Sequence, residues 1–389
     1  MKELLKKIAQ HFGISISRPG LYETTFIELR PDVGSKGNVL LSYVIEPFLL
    51  KEGEAVSNKH HNHWLSLQIA STFTDLGYCV DVISYANHTF IPKKEYSFFI
   101  APRTNFQEIV ERLNPNCIKI LHLDTAHWLF SNHASYNRAL ALQQRKNVTI
   151  AMHKQIESNW AIEHADYCTT NLGNGFNVST YNYSQKKIYT IPLPTCSLFD
   201  WFEKKQFDKC RKSYLWLGSA GVVHKGLDLV LEAFSKMPDY QLTICGPISK
   251  EKHFEQAYLT ELYHSKNINT IGWVDIESPM FKDILNDCIG TIFPSCAEGG
   301  GASVVTCMQA GLIPIVTYES SVEVGEFGVT LPDDSIESIC ESVKKLSNLP
   351  AVELKKRSKA TWEFARAHHS RKNFTNEYKK IILEIISQS

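Results

Sequence analysis

Pro294-Ser295-Cys296-Ala297-Glu298-Gly299-Gly300-Gly301-Ala302-Ser303-Val304-Val305-Thr306-Cys307-Met308-Gln309-Ala310-Gly311 is the stretch on which the reading of this chain turns. Before it stand Cys288-Ile289-Gly290-Thr291-Ile292-Phe293, a β-branched and aromatic run of buried-strand type. After the glycines, apolar Val304, Val305 and Met308 follow at helical spacing until Gly311 supplies a stop. The order is strand, glycine-rich turn, helix. Gly299, Gly300 and Gly301 let a backbone pass close to a ligand, and the free N–H groups and positive dipole end of the helix starting near Ala302 suit a phosphate. Glu298 cannot favour a phosphate, so it is expected to accept hydrogen bonds from sugar hydroxyls beside it.

The same order recurs upstream. The apolar run from Tyr214 to Leu217 leads into Gly218-Ser219-Ala220-Gly221-Val222-Val223-His224-Lys225-Gly226, a turn with three glycines and one lysine. Leu227, Val230, Leu231 and Phe234 then fall on one helical stripe. No G-x-x-x-x-G-K-[ST] phosphate loop can be fitted here, and the chain holds no G-x-G-x-x-G dinucleotide fingerprint. Further strands are expected at Gln241 to Cys245, Ile268 to Ile271, Gly290 to Phe293, Ile313 to Thr317 and Gly328 to Leu331.

A second strand and helix series precedes this one. Its strands are expected at Asn38 to Ile45, Cys79 to Ser84, Tyr96 to Ala101, Cys117 to Leu123, Val148 to Met152, Tyr167 to Asn171 and Ile188 to Ile191. A helix carries Leu65, Ile69, Phe73 and Leu76 on one stripe and closes at Gly77. Lys2 to Phe12 reads as a short amphipathic helix, and the polar stretch after Pro19 and Gly20 fits no element. Alternation at this spacing argues an α/β fold of two parallel, doubly wound sheets. Pro192-Leu193-Pro194 and the polar segment to Lys212 read as the connection, dividing the chain into domains 1–195 and 212–369, with a final helix at about 370–389 expected to pack back on the first.

With 389 residues, 43% hydrophobic and 21% charged, the chain can fill two ordinary cores. Lys+Arg and Asp+Glu number 41 each, so no global field favours nucleic acid or an anionic membrane. Ten scattered cysteines without a C-x-x-C pair read as reduced thiols of a cytoplasmic protein, and no signal peptide or membrane span is expected. The tail is basic at Lys355, Lys356, Arg357, Lys359, Arg371 and Lys372; a solvated helix face explains these charges, and peripheral contact with an anionic lipid surface is the alternative. Oligomeric state is not legible.

At residues 294–311 the chain resembles the donor-binding signature of retaining GT-B glycosyltransferases of family four, an acid, a glycine-rich turn and a helix written E-x7-E. Glu298 is the first acid. Thr306 stands at the second, which in that family holds the ribose hydroxyls, so the signature is half present. Pro294-Ser295, Met308, Gly311 and Pro314 match the pattern. In the turn after the first strand of that domain the family carries an arginine and a lysine on the donor pyrophosphate. Lys225 fits the lysine, and Ser219 stands where the arginine would be.

The resemblance covers Ser213 to about Leu331, and only the architecture of the first half. It implies a GT-B fold in which the C-terminal domain holds a nucleotide sugar at Gly218, Ser219, Lys225, Gly272, Trp273, Glu298, Gly299, Gly300, Gly301, Ala302 and Thr306. The N-terminal domain would hold a glycan, lipid-linked or other hydroxyl acceptor. Retention of anomeric configuration, a role in polysaccharide biosynthesis, and no metal or cofactor beyond the donor are also implied.

Ligand crevices in open α/β sheets lie beyond the carboxyl ends of strands, which places Asp124, His127 and His153 at the cleft. The resemblance gives His153 the transferred sugar, while the strand-end position of Asp124 and His127 fits the acceptor side. His122, alternating into its strand, reads as structural. Three imidazoles in His60-His61-Asn62-His63 cannot easily face one tetrahedral ion and have no Cys or carboxylate beside them, so no metal is expected; the resemblance, in which this loop-to-helix turn faces the interdomain cleft, implies acceptor or donor contact for His61 or His63. The expected catalytic set is Glu298, Lys225, His153 and His127. Two other readings use the same residues: a nucleotide-sugar epimerase, and a non-catalytic module binding carbohydrate or a partner, motivated by Ser219 and Thr306.

Overall fold

The computed structural model describes residues 24–388 apart from 33, 52, 59 and 60. The helix expected from Lys2 to Phe12 and His60 of the histidine cluster lie outside them. Two sheets organise the chain. The first comprises β1 (Phe26–Leu29), β2 (Asn38–Tyr43), β3 (Cys79–Ser84), β4 (Phe98–Pro102), β5 (Ile118–Leu123), β6 (Tyr167–Asn171) and β7 (Ile188–Ile191), in the order β1-β3-β2-β4-β5-β6-β7. Only β1 runs antiparallel, along β3. The second comprises β8 (Ser213–Leu217), β9 (Gln241–Cys245), β10 (Ile268–Gly272), β11 (Gly290–Phe293), β12 (Ile313–Val316) and β13 (Val329–Thr330), all parallel, in the order β10-β9-β8-β11-β12-β13.

Six helices bear on the site: α1 (His61–Asp75), α2 (Trp128–Lys146), α3 (Leu227–Ser235), α4 (Ala302–Met308), α5 (Ala351–His368) and α6 (Arg371–Gln388). The central strands are buried on both faces and read as continuous apolar runs, as parallel strands must. Leu65, Ile69 and Phe73 of α1 pack with Val39, Leu41 and Val82, and α6 returns to the same face through Phe374, Tyr378, Ile381, Ile382 and Ile385. The stripe of α3 packs on Tyr214, Trp216, Ile244 and Ile292. Each such side chain contributes about 1.5–3 kcal/mol on burial, so these stripes, more than helix propensity, hold the helices in place.

Two segments differ from the sequence expectation. β1 forms in the polar stretch that fits no element; it is four residues long with alternating exposure, an edge strand whose Glu28 meets Lys94, which also reaches Asp81 at 3.1 Å. The strand expected at Val148 to Met152 does not form, and the chain from 148 to 160 pairs with no described strand. Ile150, with Leu142 of α2, packs instead against the core of the C-terminal sheet, which covers the apolar side chains that would otherwise need a sheet face.

The connection after β7 is also more ordered than its polarity suggests. Phe199 is buried, and its carbonyl accepts from Trp362 Nε1 of α5 at 2.9 Å. Where the chain crosses back to the first domain, the Thr195 hydroxyl donates to the His369 carbonyl at 2.9 Å, and farther along α6 Glu384 meets Lys187 at 2.7 Å and Tyr189 at 2.9 Å. The basic tail is partly paired on its own helix, Arg357 with Glu353 at 3.0 Å and Lys359 over the Trp362 ring at 4.1 Å. No helix among the described residues is long and apolar enough to cross a membrane.

Strand order fixes where ligands can enter. In the second sheet the winding reverses between β8 and β11, so the turns 218–226 and 294–301 open side by side at a topological switch point. In the first sheet it reverses between β2 and β4.

Candidate active site

The C-terminal crevice is a cavity of about 390 Å³ lined by Gly218, Ser219, Ala220, Lys225, Trp273, Glu298, Gly301, Ala302, Ser303 and Thr306, together with Lys154 and His61 of the facing domain. Its volume falls in the roughly 300–1,000 Å³ range of small-molecule sites. Glu298 is its electrostatic centre. Oε1 accepts from Lys225 Nζ at 2.7 Å and from Ser295 Oγ at 2.9 Å, and Oε2 from Lys154 Nζ at 3.2 Å. Burial alone would raise the Glu298 pKa, but the charges of Lys154 and Lys225 outweigh it and hold the carboxyl well below the usual carboxylate range. It is therefore a fixed anion and hydrogen-bond acceptor, unsuited to shuttling a proton near neutral pH.

Lys154 is the opposite case. Burial pulls its pKa down, the Lys225 charge adds to that, and the Glu298 carboxylate offsets only part, leaving it at about 8. His224 sits behind the turn, donating from Nε2 to the Ala297 carbonyl at 2.5 Å while Nδ1 takes the Ser135 hydroxyl at 2.6 Å. Burial and the two lysines push its pKa down to about 3, so it is a neutral imidazole and its 3.9 Å approach to Glu298 is not an ion pair. Because Ser135 lies on α2, this histidine also joins the two domains.

The domain contact continues along α2. The buried Arg138 donates to the Pro294 carbonyl at 3.0 Å and to Asp334 at 3.0 Å. Arg145 reaches Asp228 at 2.6 Å and Glu232 at 3.1 Å. Here the glycines find their reason. A Cβ at Gly299 would run into the Asp124 backbone and one at Gly300 into Asn171, both across the cleft, while Gly301 has φ +52° against Val322. Of the three, only Gly301 lines the cavity, so Gly299 and Gly300 serve the approach of the two domains where ligand access was expected.

The N-terminal switch point holds a second cavity, of about 410 Å³, lined by Tyr43, Glu46, His63, Tyr85, Arg103 and Asp124 among others. Asp124 pairs with Arg103; burial raises its pKa, the guanidinium outweighs that, and the carboxyl titrates below its ordinary value. Tyr43 is 3% exposed and its hydroxyl has no partner among the described residues. The first turn of α1 separates the cavities, with His61 lining the C-terminal one and His63 the N-terminal one.

Residues 199–362 match the model of the family described as glycosyl transferases group 1. That match lies in the C-terminal domain, and the two parallel-sheet domains of the chain have the GT-B fold. The fold is similar to that of sucrose-phosphate synthase from Thermosynechococcus elongatus, with a TM-score of 0.63 and 13% identity over 90% of this chain and 99% of that one. It is also similar to Anabaena HepE in complex with UDP and glucose, with a TM-score of 0.52 and 11% identity over 91% of this chain and 100% of that one. A mutant of S. aureus TarM in complex with fondaparinux, alpha-GlcNAc-glycerol and UDP gives a TM-score of 0.51 and 13% identity over 72% of this chain and 54% of that one, so the chain spans about half the TarM length. At these identities the likeness is one of fold. No curated protein sequence matches the chain.

Of the residues singled out in the sequence, Lys225, Glu298, Ser219, Trp273, Thr306 and Ala302 meet in the C-terminal cavity. Thr306 already donates its hydroxyl proton to the Ala302 carbonyl at 2.9 Å, so toward a ligand it can only accept. Trp273 stands 60% exposed at the rim, after Gly272, whose φ of +84° turns the chain. Asp124 and His63 meet in the N-terminal cavity.

His153 and His127 line neither cavity. His127 caps α2, accepting from Leu129 N at 3.4 Å, and lies between Tyr181 and Tyr183 with Nε2 3.2 Å from the Tyr183 hydroxyl; burial lowers its pKa. His153 is exposed, and in this extended segment its neighbour Lys154 faces the other way, into the cleft. Lys154, Arg103 and the cavity-backing Glu251 were not read from sequence. The signal for Lys154 was its place beside His153, and nothing local to Glu251 marks it.

Proposed function

We propose that the C-terminal cavity holds a nucleotide sugar and that its sugar passes to a hydroxyl of a glycan or glycolipid acceptor seated at the N-terminal switch point. The observation that carries this is the buried pairing of Lys225 with Glu298 between two glycine-rich turns. An ammonium group and a carboxylate side by side at a switch point give positive charge for a leaving diphosphate and, beside it, an ionised acceptor for sugar hydroxyls. The complexes of HepE and TarM with UDP support a uridine donor as the first to test.

Charge developing on the leaving diphosphate meets Lys225, which takes the part a metal ion would otherwise play, and we propose turnover without metal. Retention of configuration is proposed on the family resemblance, with the departing phosphate on the same face as the incoming hydroxyl. The N-terminal cavity, with Asp124, Glu46 and His63 around the exposed ring of Tyr85, suits a hydroxyl-rich ligand of little charge.

The test is incubation with UDP-, GDP- and ADP-sugars and a panel of saccharide and glycolipid acceptors, with and without EDTA, followed by NMR of the product's anomeric centre. A retained glycosidic product in EDTA is expected. Free epimerised donor with no transfer product would show the epimerase reading to be the right one, and no consumption of any donor would favour the non-catalytic module.

A further inference from the structure

In sequence the turn 218–226 looks like a cradle of backbone N–H groups for phosphate. Two of those groups are already taken. Gly221 N–H donates to Glu251 Oε1 at 2.5 Å and Val222 N–H to the same oxygen at 3.2 Å, and Glu251 is 2% exposed. A buried carboxylate behind the turn makes that wall unfavourable to an anion. The cavity's own charges do not compensate for it. The C-terminal domain contributes Lys225 against Glu298, Asp275 at the rim and Glu251 behind, and Ser219 is neutral. One positive against three negative charges makes this half of the cavity by itself a poor match for a diphosphate.

Lys154 adds a second ammonium group, so that around Glu298 positive charge outweighs negative, and it comes from the other domain. Its Nζ lies 3.2 Å from Glu298 Oε2 and 3.4 Å from the Ala297 carbonyl, while Lys225 occupies Oε1, so two ammonium groups flank one carboxylate on the cavity wall. Its stem crosses the turn itself, since a Cβ built at Gly221 would lie 3.1 Å from the Lys154 Cβ. Gly221, with φ +85°, leaves that passage open.

We propose that Lys154 is the second cation of the diphosphate site, supplied across the cleft by the N-terminal domain to a turn that carries Ser219 on its own wall. The donor's phosphates are then gripped by both domains. This rests on the reading that a nucleotide sugar fills the cavity, and the test separates the two.

Calorimetry with UDP, GDP and ADP identifies the diphosphate that the wild type binds, and the matching nucleoside serves as the control. Lys154→Gln, which keeps the stem and loses the charge, is expected to weaken the diphosphate about tenfold to hundredfold and leave the nucleoside unchanged. Lys154→Arg is expected to retain affinity. Lys154→Gln combined with Ser219→Arg is expected to recover about tenfold, because the new guanidinium enters the same cavity from its other wall. A structural role for Lys154 would not be rescued from position 219. An unchanged diphosphate affinity in folded Lys154→Gln, or equal losses for nucleoside and diphosphate, overturns the proposal while leaving the donor site standing. A wild type that binds no nucleoside diphosphate overturns the donor reading and this inference with it.

Discussion

The two switch-point crevices are built on the same plan and end in opposite chemistry. Each lies where a parallel sheet reverses its winding, and each encloses about 400 Å³. The C-terminal one places two lysines on a single carboxylate and is walled by glycine-rich turns. The N-terminal one has its guanidinium matched by Asp124, with an unpartnered tyrosine hydroxyl and an exposed aromatic ring beside it. Topology decides where a ligand sits in both. The side chains leaving the strand ends decide whether that ligand is an anion or a hydroxyl-rich neutral molecule.

The largest effect is expected where one carboxylate holds two cations. Glu298→Gln should lower kcat/KM by about a hundredfold to a thousandfold. It should also destabilise the fold, because removing one partner of a buried pair leaves uncompensated charge at a cost of about 3–5 kcal/mol. Steady-state rates and melting curves measure the two separately, and a variant with wild-type rates would show that the anion is dispensable. Next, Lys225→Ala should lower turnover about a hundredfold by removing the buried ammonium nearest Glu298; an unchanged kcat in a folded variant would remove Lys225 from the leaving-group site.

Asp124→Asn tests the other crevice and should sharpen the contrast. It frees Arg103 and is expected to raise the acceptor KM about tenfold while nucleotide affinity stays constant. A shift in nucleotide binding instead would mean that the crevices are not separate. Thr306→Glu should tighten nucleotide binding about tenfold to hundredfold, since a carboxylate takes both ribose hydroxyls and the threonine, with its proton on Ala302, accepts from one. Weaker binding to every nucleotide would detach position 306 from the ribose.

The smallest effect is a pH limb. Lys154, facing Glu298, Lys225, His224 and Cys296, loses its proton in the free enzyme near pH 8, well below the roughly 10.4 of an unfolded lysine. Its cation is present below that pH and lost above it, so kcat/KM should fall as pH rises through about 8. Stability runs the other way: a lysine with a depressed folded pKa costs stability while charged, and that cost is relieved between about pH 8 and 10.4. A rate that falls while the contribution of this group to melting temperature does not is the signature, and Lys154→Arg should move the limb upward.

The two crevices also differ in how much of them the sequence showed. The second sheet was legible almost strand for strand, because Gln241 to Cys245 and Gly290 to Phe293 are apolar runs between glycine turns. Glu298 and Lys225 were legible because each sits in such a turn. Strand and helix periodicity speak only of local neighbours, so what was missed is what the facing domain decides. Residues 148–152 have strand composition but bury Ile150 on the other domain's core, and the extended backbone turned Lys154, not His153, into the cleft. His127 leaves a strand end as expected, and its ring caps a helix and meets a tyrosine without lining either cavity. Glu251 reaches the turn from thirty residues away in sequence, a contact invisible without the fold.

Hydrogen–deuterium exchange on the full chain, with and without the nucleoside diphosphate that binds tightest, tests the division of labour most directly. The expected result is protection at 218–226, 294–306 and the segment around Lys154, with 43–46, 102–104 and 124 unchanged. Protection confined to the N-terminal crevice, with the C-terminal turns unaffected, would contradict the assignment of the anion site to the C-terminal switch point.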